Sequence, residues 1–163
     1  MDNLFAPVSG SWKPVSPALA TVRRILATVA AVVVLLVGLV LLAAMPDLWW
    51  IGGPVVAVAV AAGAWAWVWA GRNQRSWGYA ENADDLLVTR GVMFKRLVAI
   101  PYGRMQFVDV QAGPLARAFG IATVTLHTAS TETAADIPGL PAEEATRLRN
   151  RLTELGESRG AGL

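Results

Sequence analysis

Two long runs without a formal charge, Ile25 to Met45 and Ile51 to Gly71, restrict the folds open to this chain more than any other feature. The first is 21 residues of Ile, Leu, Val, Ala, Thr, Gly and Met. As a helix it measures about 31 Å, against a hydrocarbon core of about 30 Å. A soluble helix of that length needs a polar face, and neither run supplies one. Only Met45-Pro46-Asp47-Leu48 interrupts them. The pattern predicts two transmembrane helices, about 25–45 and 51–71, joined by a very short turn in which Pro46 ends the helical path.

The flanks predict the orientation. Lys13, Arg23 and Arg24 precede the first run, Arg72 and Arg75 follow the second, and the turn carries only Asp47. Basic flanks stay cytoplasmic, so a multi-pass protein with both termini in the cytoplasm is expected. Trp49 and Trp50 suit the outer interfacial belt, and Trp67, Trp69 and Trp77 the inner one. Leu42-Ala43-Ala44-Met45 bears a faint likeness to a signal-peptide cleavage site, but the run exceeds the usual apolar region of a leader. In the second run Ala62, Ala66 and Ala70 recur every four residues, a spacing that lets helices approach closely. That face suits packing on the first helix, self-association or a partner helix.

About 90 residues follow the hairpin, enough for one small domain with its own core. The chain has no Cys, which excludes disulfides, thiolate nucleophiles and thiolate metal sites. After Gly71, eleven Lys or Arg face ten Asp or Glu, too even a balance for the basic patch of a nucleic-acid binder.

The reading divides the chain into a tether at 1–24, the hairpin at 25–71, a cytoplasmic domain at 76–156 and a loose tail at 157–163. Trp77–Glu81, Leu86–Arg90, Val92–Ile100, Met105–Gln111, Ala122–Thr128 and Ala134–Ile137 read as strands, with turns at Asn82–Asp85, Gly91 and Ala129–Thr133. In Ala122–Thr128 the alternation sets Ala122, Val124 and Leu126 inward, and Thr123, Thr125 and His127 outward. Gly113 to Gly120 reads as a loop with room for one helical turn. A helix then opens with Pro141 at its first position. Its apolar stripe is Ala145, Leu148, Leu152 and Leu155, Glu143 and Arg147 form an i,i+4 pair, and Gly156 is the expected stop. Successive hairpins imply antiparallel sheet, which one amphipathic helix must cover.

This order, with Ala83-Asp-Asp-Leu-Leu-Val-Thr-Arg-Gly91, Ile100-Pro101, Arg104 through Gly120, Ile137-Pro-Gly-Leu140 and Glu143-Glu-Ala145, resembles the bacterial pleckstrin-homology-like (PH-like) domain of small membrane proteins of the YdbS type. The resemblance covers about Tyr79 to Leu155, and the hairpin suits the family. Arg104, Gln106, Asp109, Gly113, Pro114, Arg117 and Gly120 carry it in the central stretch. It implies an α+β domain, a partly open antiparallel barrel of six to seven strands capped by the C-terminal helix, in a protein of the bacterial cell membrane.

Each candidate site in the sequence also has a plainer role. His127 is the only histidine and reads as solvent-facing, and one His without Cys makes no usual zinc site. Ser130 and Ser158 lack a His or Asp at a recognisable motif spacing. Asp84-Asp85 reads as turn chemistry. Gly113 to Gly120 lacks the Lys and the Gly-Lys-Ser/Thr ending of a phosphate loop. Arg104, Asp109 and Arg117 read first as an internal Arg–Asp tie pinning the Gly113–Gly120 loop, and second as an anion or partner site. Lys95 and Arg96, with the arginines of the last helix, are candidates for anionic lipid. The expectation is therefore a module without catalysis, cofactor or metal. Its partners are the bilayer and another membrane protein or a second copy, with no nucleic acid and no evident small-molecule substrate.

Overall fold

The computed structural model describes residues 11–45, 47, 49–128 and 134–160. These fall into two compact units, Ala20–Arg72 and the remainder of the described chain. The first holds most of α1 (Ala18–Ala44) and α2 (Trp49–Arg75), each 27 residues long. Ser16 and Pro17 begin α1, with Ser16 Oγ accepting the Ala18 N–H at 3.2 Å. Helix formation therefore precedes the uncharged run by about two turns. Pro46 and its expected turn role lie outside the described residues.

The helices pack antiparallel. Gly38 lies against Val55 and Val56, Gly52 against Leu42, and Gly63 against Ala31. A Cβ on Gly52 would come within 2.7 Å of the Leu42 side chain, so these glycines set the interhelical distance. Near the charged end the Arg24 guanidinium stacks 4.6 Å from the Trp67 ring. The Trp67 Nε1–H donates to Thr28 Oγ1 at 3.1 Å. The other faces stay apolar and exposed, with Val29, Val33, Val37 and Val40 along α1 and Trp65 and Val68 on α2. Such surface suits acyl chains as its solvent.

Among its described residues the second unit has two antiparallel sheets and two further helices. One sheet has the order β1-β2-β3-β4, from β1 (Lys13–Pro14), β2 (Gly78–Glu81), β3 (Asp85–Arg90) and β4 (Arg96–Pro101). The other has the order β5-β6-β7, from β5 (Met105–Gln111), β6 (Ile121–Thr128) and β7 (Ala135–Pro141). A 3-10 turn, Tyr102–Arg104, joins them. Helix α3 (Pro114–Ala118) precedes β6, and α4 (Ala142–Gly160) follows β7. This is the α+β, PH-like arrangement of two sheets and a C-terminal helix.

Several local expectations change. The segment before α1 is more than a tether: Lys13 and Pro14 pair with Tyr79 and Gly78. Val15 is 2% exposed and its carbonyl accepts from Gln74 Nε2 at 2.8 Å, while the Ser16 N–H donates to the Gly139 carbonyl at 2.9 Å. Its prolines leave φ extended, which an edge strand tolerates. The reversal before β4 takes Gly91 to Lys95, because Arg90 pairs with Arg96. Gly91 has φ +113°, and a Cβ there would collide with the Phe94 carbonyl. The last strand continues to Pro141 instead of ending at Ile137, through a bulge in which Gly139 adopts φ +74° against Leu19. Pro141 thus ends a strand and Ala142 opens the helix. Helix α4 also passes through Gly156 to Gly160, where a tail was expected. Arg159, beyond that glycine, holds Asp84 at 2.8 Å and the Ala83 carbonyl at 2.7 Å, which offsets glycine's low helix propensity. The turn at 129–133, with Ser130, and residues 161–163 lie outside the described residues.

The core follows from the alternation and the stripe. Leu86, Val88 and Ile100 of one sheet and Val124, Leu126, Ile137 and Leu140 of the other are buried, and Ala145, Leu148 and Leu152 of α4 close the core. Leu155 is only half-buried at the helix's far end.

Candidate functional site

The motif residues of the central stretch separate into structural and exposed ones. Gly113 and Pro114 start α3, with the Arg117 N–H donating to the Gly113 carbonyl at 2.9 Å. Gly120 stops it at φ +64°, and its carbonyl accepts the Ala142 N–H at 3.0 Å. Arg104 is exposed at the end of the 3-10 turn, and Arg117 is exposed on α3. Asp109 accepts a 2.7 Å hydrogen bond from Gln111 Nε2. Among the described residues no ion pair joins Asp109 to Arg104 or Arg117, so the expected tie is not made. The backbone of Gly113, Pro114 and Gly120 fixes that loop instead. Gln106 is the extra residue of a bulge, where the register steps from Met105–Thr128 to Phe107–His127.

That bulge borders a groove. Strand β5 pairs on one side with β6, and α4 packs against β5 and the 3-10 turn. Between them lies a cleft of about 430 Å³, lined from β5 by Met105, Gln106, Phe107 and Val108 and from α4 by Leu152, Thr153, Gly156 and Glu157. At Gly156 α4 faces the Tyr102 carbonyl and Met105, with ordinary contact distance left for a Cβ. Among the described residues the outer edge of β5 has no strand partner, the arrangement that accepts an added strand. His127, expected to be solvent-facing, is half-buried and stacks on Phe107, with centroids 4.1 Å apart.

A charged cluster ties β1, β2 and α4 together. Lys13 Nζ lies 3.0 Å from Glu81 and 3.6 Å from Glu144. Arg147 reaches Glu81 and Glu144 at 2.5 and 2.7 Å, and Arg151 reaches Glu81 at 3.2 Å. The Tyr79 hydroxyl donates to Glu144 Oε1 at 2.7 Å. Arg147 therefore pairs with Glu144, i,i+3, and across to the sheet, rather than with Glu143. Arg147 and Arg151, two of the helix arginines considered for lipid, are engaged here. Hydrogen bonding from Arg147, opposed by partial burial and aided by Tyr79, lowers the Glu144 carboxyl from 4.5 to about 2. Burial by itself would raise Glu81, but Arg147 and Lys13 hold it below its ordinary range. Burial first, then the bond to Glu144, raises Tyr79. Tyr102, whose hydroxyl donates to the Asn82 carbonyl at 2.9 Å, is pushed up to about 12 by burial and the charge of Glu81. The cluster is cohesive chemistry: both of its carboxylates are held by cations from α4 or β1.

Lys95 and Arg96 are exposed beside the two most exposed large apolar residues among those described, Met93 at 86% and Phe94 at 85%. Of the small-residue stripe, Ala70 is buried, Ala66 half-buried and Ala62 exposed. The face against α1 is instead centred on Gly52, Ala59 and Gly63. Drift of the 3.6-residue helix against a strict four-residue spacing explains the displacement. The groove was missed because its walls are far apart in sequence. The bulge at Gln106 interrupts the alternation of β5, the one local trace of it.

The bacterial PH domain model matches residues 18–156. A curated relative, the UPF0699 transmembrane protein YdbS of Bacillus subtilis (strain 168), is 35% identical over 79 residues, 48% of this chain. The match spans 48% of that relative's own length, about half of it. No solved structure gives a significant match. With two helices long and apolar enough to cross a membrane and a two-sheet domain closed by a C-terminal helix, this chain belongs to the bacterial PH domain family of membrane proteins.

Proposed function

We propose that this chain is a non-catalytic, membrane-anchored interaction module. Its hairpin crosses the bacterial cell membrane twice with both termini in the cytoplasm. The PH domain assembles at the inner surface with another membrane protein of a larger complex, or with a second copy. The observation that carries the reading is the open β5 edge beside α4, where an extended segment pairs with free backbone groups while Met105 and Phe107 supply apolar contact. The orientation is supported by the basic flanks Arg23, Arg24, Arg72 and Arg75. The pairing of Lys13 and Pro14 with β2 supports the same side for both ends of the hairpin, because one sheet takes the chain both before α1 and after α2.

The test is a photo-crosslinking amino acid at Gln106 or Thr153 in the full chain in its native host membrane, with Asn150, on the exposed face of α4, as control. The groove positions are expected to give a discrete adduct with one protein or with a second copy. Adducts indistinguishable from those at Asn150 would overturn the reading. A second reading, contact with anionic lipid through Lys95 and Arg96, is favoured by the exposure of their reversal.

A further inference from the structure

The strongest unassigned surface is the reversal between β3 and β4. Met93 and Phe94 are 86% and 85% exposed, whereas the next large apolar residue, Trp65 of α2, is 75% exposed. Gly91 holds this tip in place: its φ of +113° closes the turn, and the carbonyl of Phe94 occupies the space a Cβ would need. Two adjacent large apolar side chains on a tight turn are a poor choice for water.

In the sequence stretch that carries the tip the charges are of one sign. From Leu86 to Val108 there is no Asp or Glu, while Arg90, Lys95, Arg96 and Arg104 all fall in that stretch. Arg90 and Arg96 are direct cross-strand partners, an arrangement of like charges that destabilises a sheet unless an anion lies between them. The Arg90 guanidinium lies 5.8 Å from the Trp77 ring. Register places these groups together: Gly78 pairs with Thr89, so the reversal closes the end of the sheet at which the chain enters β2. Only Ser76 and Trp77 separate that entry from the end of α2.

We propose that Met93 and Phe94 form an apolar wedge that enters an anionic bilayer surface, with Arg90 and Arg96 meeting lipid phosphates around it. The bilayer is the occupant because it alone supplies an apolar medium beneath a layer of negative charge, in the order this tip presents them. The aromatic Trp77 on the same sheet end has the side chain that favours headgroup depth. This inference rests on the reading of the hairpin as membrane-spanning.

The absence of native cysteine makes single-site labelling direct. The full chain is reconstituted into vesicles of phosphatidylglycerol with phosphatidylcholine, or of phosphatidylcholine alone. An environment-sensitive fluorophore is placed at Met93→Cys, at Val33→Cys in α1, or at Asn150→Cys on α4. Expected for Met93→Cys is a blue shift and quenching by doxyl-labelled lipid in the anionic vesicles. Both should be lost, or clearly reduced, in phosphatidylcholine and in the Arg90→Gln/Arg96→Gln background, and Asn150→Cys should remain water-like. Quenching at Val33→Cys with a water-like Met93→Cys would overturn the wedge and leave the hairpin reading standing. An unquenched Val33→Cys would overturn both. A blue-shifted but unquenched Met93→Cys would assign the tip to protein contact, and quenching indifferent to lipid charge would remove the phosphate contacts; either result overturns the proposal.

Discussion

Glu144 shows how a single residue joins three elements. It sits on the first turn of α4, where a carboxylate complements the helix dipole, and it accepts from Arg147 and from Tyr79 of β2. Its carboxyl is lowered from 4.5 to about 2, so the folded form favours the charged state. The stability it contributes is therefore complete above pH 4.5 and is lost as pH falls toward 2. Glu144→Gln is expected to lower the stability of the full chain at neutral pH by about 1 kcal/mol, a partly exposed pair being worth little more. The difference from the parent should narrow as pH falls through that window, as followed by thermal unfolding in detergent. Arg147 was legible as a helix-surface partner of an acid, but its actual acids were not. Glu143 and Glu144 are neighbours in sequence, and the position of β2 decides between them.

Among the elements, α4 was the most legible. Its stripe recurs at 3, 4 and 3, and Ala145, Leu148 and Leu152 are indeed buried. Leu148→Ala is expected to cost about 2–5 kcal/mol, as for other large-to-small changes in a closed core, and Leu155→Ala clearly less. Chemical denaturation of the full chain in detergent measures both. The ends of elements were harder to read. Pro141 and Gly156 look like a helix start and stop by local preference, yet Gly139 continues β7 through a bulge and Arg159 anchors the turn beyond Gly156. In both cases a contact from elsewhere outweighs the local preference, which for the glycine is worth about 1 kcal/mol. β4 began late for a related reason, because the Gly91 turn takes five residues to bring Arg96 opposite Arg90.

For the whole molecule, the central observation is that the segment before α1 and the segment after α2 enter the same folded unit. Lys13 pairs with Tyr79, and Val15 is held by Gln74. Two ends that share one sheet lie on one side of any membrane the hairpin crosses. The proposed orientation predicts that a membrane-impermeant maleimide added to intact cells labels Asp47→Cys, in the hairpin turn, and spares Asn150→Cys until the cells are opened. Labelling in the opposite order would reverse the orientation, and labelling of both in intact cells would contradict the hairpin.

The sequence by itself determined the two apolar helices, the antiparallel strands after them and the covering helix. Each rests on composition or on a period of 2 or 3.6 residues, and those are local properties. It also carried the family resemblance through Gly113, Pro114 and Gly120, whose backbone roles are local too. The tertiary structure alone decided that Lys13 to Ser16 belong to the sheet unit, that Arg147 turns to Glu81 and Glu144, and that β5 and α4 leave a groove between them. It also set Arg90 opposite Arg96 beside an exposed Met93 and Phe94. These depend on which distant segments pair, and in what register. A shift of one residue would reassign every side chain to the opposite face, so no local pattern carries that information.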